Sequence, residues 1–298
     1  MKKIVKIERR SSEQGSLRMR NMKFTKMHGA GNDFVMVNGF KEHPKDLNGL
    51  ALKLCHRNFA VGADGLIILL PHDDGDFEMQ IYNSDGTEAE MCGNGIRCAA
   101  IFAQNEGITD KDEMQVITKA GIIRPKVIKN TAEEMLVKVD MGMPRLSGEE
   151  IPCVIKGERV LEQPIEVKEK DYMFSAVSMG NPHCVVFIDQ PVADFPVNTI
   201  GPDFEKHEYF PAKTNTEFVE VIDEHHVNMR VYERGCGETM ACGTGSCATA
   251  VAAILTGRCR DWVDVKLLGG TLRIEYAEGG HVFMTGPVAV AFYGEAAE

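Results

Sequence analysis

Residues 90–100 run Glu90-Met91-Cys92-Gly93-Asn94-Gly95-Ile96-Arg97-Cys98-Ala99-Ala100, and residues 240–250 run Met240-Ala241-Cys242-Gly243-Thr244-Gly245-Ser246-Cys247-Ala248-Thr249-Ala250. Each stretch is Cys-Gly-x-Gly, then a second cysteine, then an Ala-rich segment, and 150 residues separate the two leading cysteines. Alanine is the strongest helix former, so both segments predict helices, over 93–106 and 243–256. Gly107 and Gly257 fall where glycine ends a helix. An imperfect internal repeat of this kind implies two related halves.

Outward from the repeat, the pattern changes to alternation. Phe77, Met79 and Ile81 share one face, as do Val137, Val139 and Met141, then Val227, Met229 and Val231, then Leu272, Ile274 and Tyr276. Gly269-Gly270 and Glu278-Gly279-Gly280 punctuate the last strands as hairpin turns do. A third helix is expected over residues 46–58, where Leu47, Leu50 and Leu54 recur at helical spacing. Many strands, mainly antiparallel, with few helices give an α+β class.

The 298 residues suffice for two domains. A net charge of −11 argues against binding nucleic-acid backbones, and no apolar run is long enough to span a membrane. Residues 1–21 differ from the rest, with seven basic and two acidic side chains. They read as a solvated, disordered extension, because Ile4, Val5 and Ile7 are too few for a signal-peptide core. Nine cysteines without such a signal read as cytosolic thiols rather than a disulfide framework.

The chemistry follows from what Cys-Gly-x-Gly does at a helix start. The first-turn amides lack intrahelical partners and the dipole is positive there, so a thiolate is stabilised and the thiol pKa is expected to fall. Glycines let an anionic ligand come close to those amides. Two such motifs, facing each other across a cleft, suit inversion of a carbon beside a carboxylate. That reaction needs a base on one face and an acid on the other. Metal binding is disfavoured, since the spacings are C-x5-C at 92/98 and 236/242 and C-x4-C at 242/247, not C-x2-C. Neither motif completes a dinucleotide-binding GxGxxG after a strand. Cys55, Cys98, Cys153, Cys184, Cys247 and Cys259 read as buried apolar residues.

Four ordered motifs resemble the diaminopimelate epimerase family. They are Lys26-Met27-His28-Gly29-Ala30-Gly31-Asn32-Asp33-Phe34, then Asn83-Ser84-Asp85-Gly86 leading to Cys92, then Gly180-Asn181-Pro182-His183-Cys184, then Glu233-Arg234-Gly235 followed by Cys242. The resemblance covers about residue 22 to the carboxyl terminus, and the family pattern lacks residues 1–21. It implies two similar domains, residues 22–139 with 287–298 and residues 140–286. Each is a curved, barrel-like, mainly antiparallel sheet around a central helix, with the active site in the cleft between them. It further implies a cytoplasmic homodimer of lysine and peptidoglycan-precursor synthesis that interconverts LL- and meso-diaminopimelate with no metal or organic cofactor.

Carried over position by position, the family makes Cys92 and Cys242 the acid–base pair, with Cys92 serving the L centre. The amides of Gly93, Asn94, Gly243 and Thr244 hold the reacting carboxylate. Asn32, Asn83, Asn181, Asn215 and Arg234 hold the distal centre, while His183 and Glu233 contact the reacting amino group and tune the thiols. A proline or hydroxyproline racemase of the same fold is the nearest alternative, although those enzymes carry a His after Cys-Gly where Asn94 stands. A thiol-rich metal-binding or redox module is the alternative from another class.

Overall fold

The structure is a computed structural model that describes residues 21–297. The expected extension of residues 1–21 lies outside the described residues, except for Asn21, which opens the first strand. The chain divides into two compact units, one running up to Val139 and resuming at Pro287, the other Asp140–Gly286. In chain order the elements begin β1 (Asn21–Gly29), β2 (Asn32–Asn38), α1 (Leu47–Leu54), β3 (Gly65–Leu70), β4 (Phe77–Asn83) and β5 (Glu88–Ala89). There follow α2 (Gly93–Asn105), β6 (Val116–Thr118), β7 (Gly121–Ile123), β8 (Pro125–Asn130), β9 (Met135–Asp140), β10 (Gln163–Val167), β11 (Lys170–Ser178) and β12 (Pro182–Phe187). The rest are α3 (Val197–Glu205), β13 (Asn215–Val221), β14 (His226–Glu233), β15 (Gly237–Glu238), α4 (Gly243–Leu255), β16 (Trp262–Leu267), β17 (Gly270–Tyr276), β18 (Val282–Pro287) and β19 (Ala289–Ala297).

In the first unit the strand order is β19-β1-β2-β3-β4-β6-β7, with β5 on β4. Pairing is antiparallel except β2 with β3 and β4 with β6, which run parallel. In the second unit β10-β11-β12-β13-β14-β16-β17-β18 follow, with β15 on β14. Here too only two pairs are parallel, β12 with β13 and β14 with β16. A parallel pair cannot be closed by a tight turn and needs a crossover. Helices α1 and α2 supply the crossovers in one unit, α3 and α4 in the other. The topology is therefore the same twice, and α2 and α4 are its second crossovers.

Those two helices fill their units. Residues 94–103 of α2 and all but Thr244 of residues 243–253 of α4 are buried, and small side chains such as Ala100 and Ala252 let sheet residues pack close on every side. Their ends match as well. At the end of α2, Gly107 N–H donates to Gln104 at 3.1 Å and Ile108 N–H to Ala103 at 2.9 Å; at the end of α4, Gly257 donates to Ile254 at 3.1 Å and Arg258 to Ala253 at 2.9 Å. This double closure needs a left-handed residue after the cap, met by Gly107 at φ 70° and Gly257 at φ 73°.

Three details differ from the sequence reading. Helix α1 is capped by the Asp46 side chain but stops at Leu54 rather than 58, because the returning amides of Gly62 and Ala63 take the carbonyls of Leu54 and Cys55. Met141 lies just beyond β9. Helix α3 has no counterpart in the sequence reading, and it holds Pro202 inside it. The missing side chain of Gly201 is what lets α3 lie on Tyr232, since a Cβ there would sit 2.4 Å from that ring. Among the described residues, no helix is long and apolar enough to cross a membrane.

Candidate active site

In the first unit the chain from β4 turns at Asn83–Gly86, pairs briefly as β5, and enters α2 at Cys92. Cys92 is the N-cap, with extended backbone, and its sulfur accepts the Gly95 amide at 3.5 Å. The amides of Gly93 and Asn94, the first two residues of the helix, have no intrahelical acceptor. The Cys92 thiol donates to Oδ1 of Asn32 at 3.6 Å, and Nδ2 of Asn94 donates to the same oxygen at 3.2 Å. Fully buried Arg97 holds Asn94 from behind, donating to its Oδ1 at 2.8 Å. Asn32, Cys92 and Asn94 are thus brought together.

What aims Asn32 is a residue the sequence reading missed. Asp64 accepts from Asn32 Nδ2 at 2.7 Å, and its carbonyl accepts the Ser84 amide at 3.1 Å, tying the Asn83 turn to Asn32. Asp64 also accepts from Arg57 at 2.6 Å, and Arg57 and Lys26 both clamp Asp33, at 2.8 and 2.6 Å. Burial pushes the Asp33 carboxyl up, but the hydrogen bonds from Arg57 and Lys26 outweigh it and hold Asp33 well below the usual carboxylate range. Asn83 itself is exposed, its side chain donating to Thr87 at 3.0 Å.

The second unit repeats the entrance with different neighbours. Cys242 is the N-cap of α4 and its sulfur accepts the Gly245 amide at 3.3 Å. It lies 3.5 Å from the Thr244 hydroxyl, which accepts from Asn181 Nδ2 at 3.3 Å. Asn181 Oδ1 is 3.1 Å from Nε2 of His183, whose Nδ1 is 2.7 Å from Glu217. Glu233 accepts from the Thr239 hydroxyl and from the Cys242 thiol. Asn181, His183, Glu233, Thr244 and Cys242 form one cluster. Asn215 and Arg234 form another: Asn215 donates to the Pro182 carbonyl at 2.9 Å and accepts the Arg234 amide at 2.9 Å, so it anchors the loop that carries the Arg234 guanidinium.

Electrostatics at Cys242 overturn one expectation. The helix start was to lower the thiol pKa, yet burial, then the charges of Glu233 and Glu217, push it well above the ordinary value, against the hydrogen bonds from Thr244 and Gly245. Burial also raises Glu233. Burial and the two carboxylates thus favour the thiol form of Cys242 over the thiolate. The six cysteines read as apolar are all buried, and burial pushes Cys98 up to about 12. His183, Glu217 and Cys242 bring ligand-type atoms within 4.8 Å of one another, and both His183 nitrogens already face oxygens, those of Glu217 and Asn181. Glu217 is the other residue missed; its only signal is a carboxylate between Thr216 and the apolar Phe218-Val219.

Comparison with known proteins gives the family. The family model described as diaminopimelate epimerase matches residues 24–147 and 175–291. The diaminopimelate epimerase of Moorella thermoacetica is 51% identical over 276 residues, 92% of this chain and 99% of the relative. That of Methanococcus maripaludis strain S2 is 49% identical over 278 residues, with the same two coverages of 92% and 99%. Among solved structures, a PhzF-family phenazine biosynthesis protein from Bacillus anthracis superposes with a TM-score of 0.66 at 14% identity, covering 93% of this chain and 99% of that one. A hydroxyproline epimerase from Agrobacterium vitis gives 0.62 at 16% identity, covering 94% and 92%. These two establish the fold and nothing further.

Proposed function

This chain belongs to the diaminopimelate epimerase family, and from that premise we propose how its residues invert the α-carbon of LL-diaminopimelate to give the meso form, a step of lysine biosynthesis. Inversion needs one group to remove the α-proton and another to return a proton to the opposite face. Cys92 and Cys242 fill the two roles and exchange them when the reaction reverses. Toward the meso product, Cys92 is the base at the L centre and Cys242, held as the thiol, is the acid. The supporting observation is that each thiol caps one of two equivalent helices, beside amides that lack intrahelical partners.

The remaining roles follow from that placement. The amides of Gly93, Asn94, Gly243 and Thr244 receive the reacting carboxylate and the charge that develops on it, at the positive ends of two dipoles. This stabilisation needs neither a metal nor an organic cofactor. Asn32, Asn83, Asn181, Asn215 and Arg234 hold the distal amino-acid centre, with Arg234 suited to two-point carboxylate pairing. His183 and Glu233 contact the reacting amino group and tune the thiols. The working form is a cytoplasmic homodimer, which sedimentation of the purified protein tests.

Exchange in heavy water tests the two-thiol mechanism. Wild type should wash deuterium into the α-carbon, while Cys92→Ser and Cys242→Ser should each lower epimerisation by at least about 100-fold, the low end for a general acid or base. Full epimerase activity in either variant would refute the assignment.

A further inference from the structure

Glu217 brings a carboxylate into the interior of its unit, with its side chain fully enclosed. One oxygen lies 2.7 Å from Nδ1 of His183, and the other finds no hydrogen-bond donor among the described residues. An enclosed carboxylate with one oxygen lacking a protein donor lowers stability, so folding does not explain it. Its surroundings do. From Glu217 the contacts run to His183 at 2.7 Å, from His183 to Asn181 at 3.1 Å, from Asn181 to Thr244 at 3.3 Å, and from Thr244 to the Cys242 sulfur at 3.5 Å. Gly245 makes room for the arrangement: a Cβ there would stand 2.5 Å from the Glu217 oxygen. The carboxylate thus rests against the positive start of α4, which offsets part of its charge.

We infer that Glu217 is a positioning residue for the inversion, its carboxylate accepting the Nδ1 proton of His183 and fixing the ring so that Nε2–H donates to Asn181 Oδ1, and through Asn181 and Thr244 directing the Cys242 thiol. Both ring nitrogens face oxygen acceptors, so the ring serves Glu217 and Asn181 together only as a donor at each. Partners behind a working histidine typically contribute 10–100-fold in metal sites, and the same orienting logic holds here. The inference rests on the two-thiol reading of Cys242.

Glu217→Gln keeps the size and removes the charge. Its kcat should fall about 10–100-fold with KM little changed and the melting transition retained. Nitrogen-15 labelling of histidine supplies a readout that a merely structural residue would not move. In wild type, Nδ1 of His183 should carry a hydrogen-bonded, downfield proton, identified by its loss in His183→Gln, and this signal should disappear in Glu217→Gln. A folded Glu217→Gln with wild-type kcat overturns the inference, as does a wild-type spectrum with no proton on Nδ1, a measurement that needs no folded Glu217 variant. Were Cys92→Ser and Cys242→Ser to remain active, the two-thiol reading would fall, while the His183 spectrum would still decide whether Glu217 locks the ring.

Discussion

Matched substitutions at Gly95 and Gly245, the third residues of α2 and α4, separate helix propensity from site geometry. In either helix, alanine in place of glycine gains about 0.8–1 kcal/mol. At Gly95 the new Cβ would meet Ile67 Cδ1 at 2.9 Å, with Cys92 Cβ and Ile81 Cδ1 in ordinary contact at 3.4 Å. The one close contact is the far end of an apolar side chain, so adjustment should cost about 1 kcal/mol, the low end for overpacking. Gly95→Ala should therefore come out near neutral in stability. At Gly245 the Cβ would meet the Glu217 oxygen at 2.5 Å and the Cys242 sulfur at 3.2 Å. A carbon–oxygen contact settles at roughly 3.3–3.6 Å, so the carboxylate must retreat by about 1 Å. Its 2.7 Å contact with His183 is then lost, at about 1.5–3 kcal/mol for a hydrogen bond to a charged group. Gly245→Ala should be destabilised by a net of about 1–2 kcal/mol and lose about 10–100-fold in kcat. Urea midpoints and initial rates on the two purified variants decide it. A Gly245→Ala protein as stable and as active as wild type would show that Glu217 is not pinned against the helix start.

Two other outcomes follow from the half-sites. Asp33 titrates below its unfolded value, so its contribution is fully present above about pH 4 and is lost as the pH falls through its depressed folded value. Asp33→Asn should thus cost about 3 kcal/mol at neutral pH, the low end for breaking a buried pair, by leaving buried Lys26 without its carboxylate, and the gap should narrow in acid; a gap constant from pH 7 to pH 3 would refute it. Alkylation by iodoacetamide should follow accessibility and thiolate character, with exposed Cys236 first, half-buried Cys92 next and buried Cys242 last. Timed peptide mass spectrometry reads that order, and early labelling of Cys242 would contradict its raised pKa.

The parts legible in the sequence were those that repeat or alternate. Both Cys-Gly-x-Gly entrances and their glycine stops could be read because helix ends have local rules. The strands at Phe77, Val227 and Leu272 could be read because one face of each is apolar. Parallel pairing could not, since β2 with β3 and β12 with β13 are joined over long sequence distances and leave no local mark. Helix α3 was hidden by Gly201-Pro202, because the contact with Tyr232 that rewards a glycine there comes from another element. Asp64 sits among Gly62, Ala63 and Gly65 and reads as a turn residue. Glu217 lies on a strand buried on both sides, where alternation no longer tells an inward carboxylate from an outward one. Such supporting groups are fixed by tertiary placement, whereas the thiols announce themselves by their own neighbours in the chain.

The shared length, sulfur cap and terminal turns of α2 and α4 carry an evolutionary implication. An ancestral duplication would leave two interchangeable backbones, and selection could then set unlike reactivity on each by editing only the residues that look onto it: amides around one sulfur, carboxylates around the other. Handedness in the catalysed direction then becomes a property of decoration rather than architecture, so either half could be retuned toward a new substrate without disturbing its sibling.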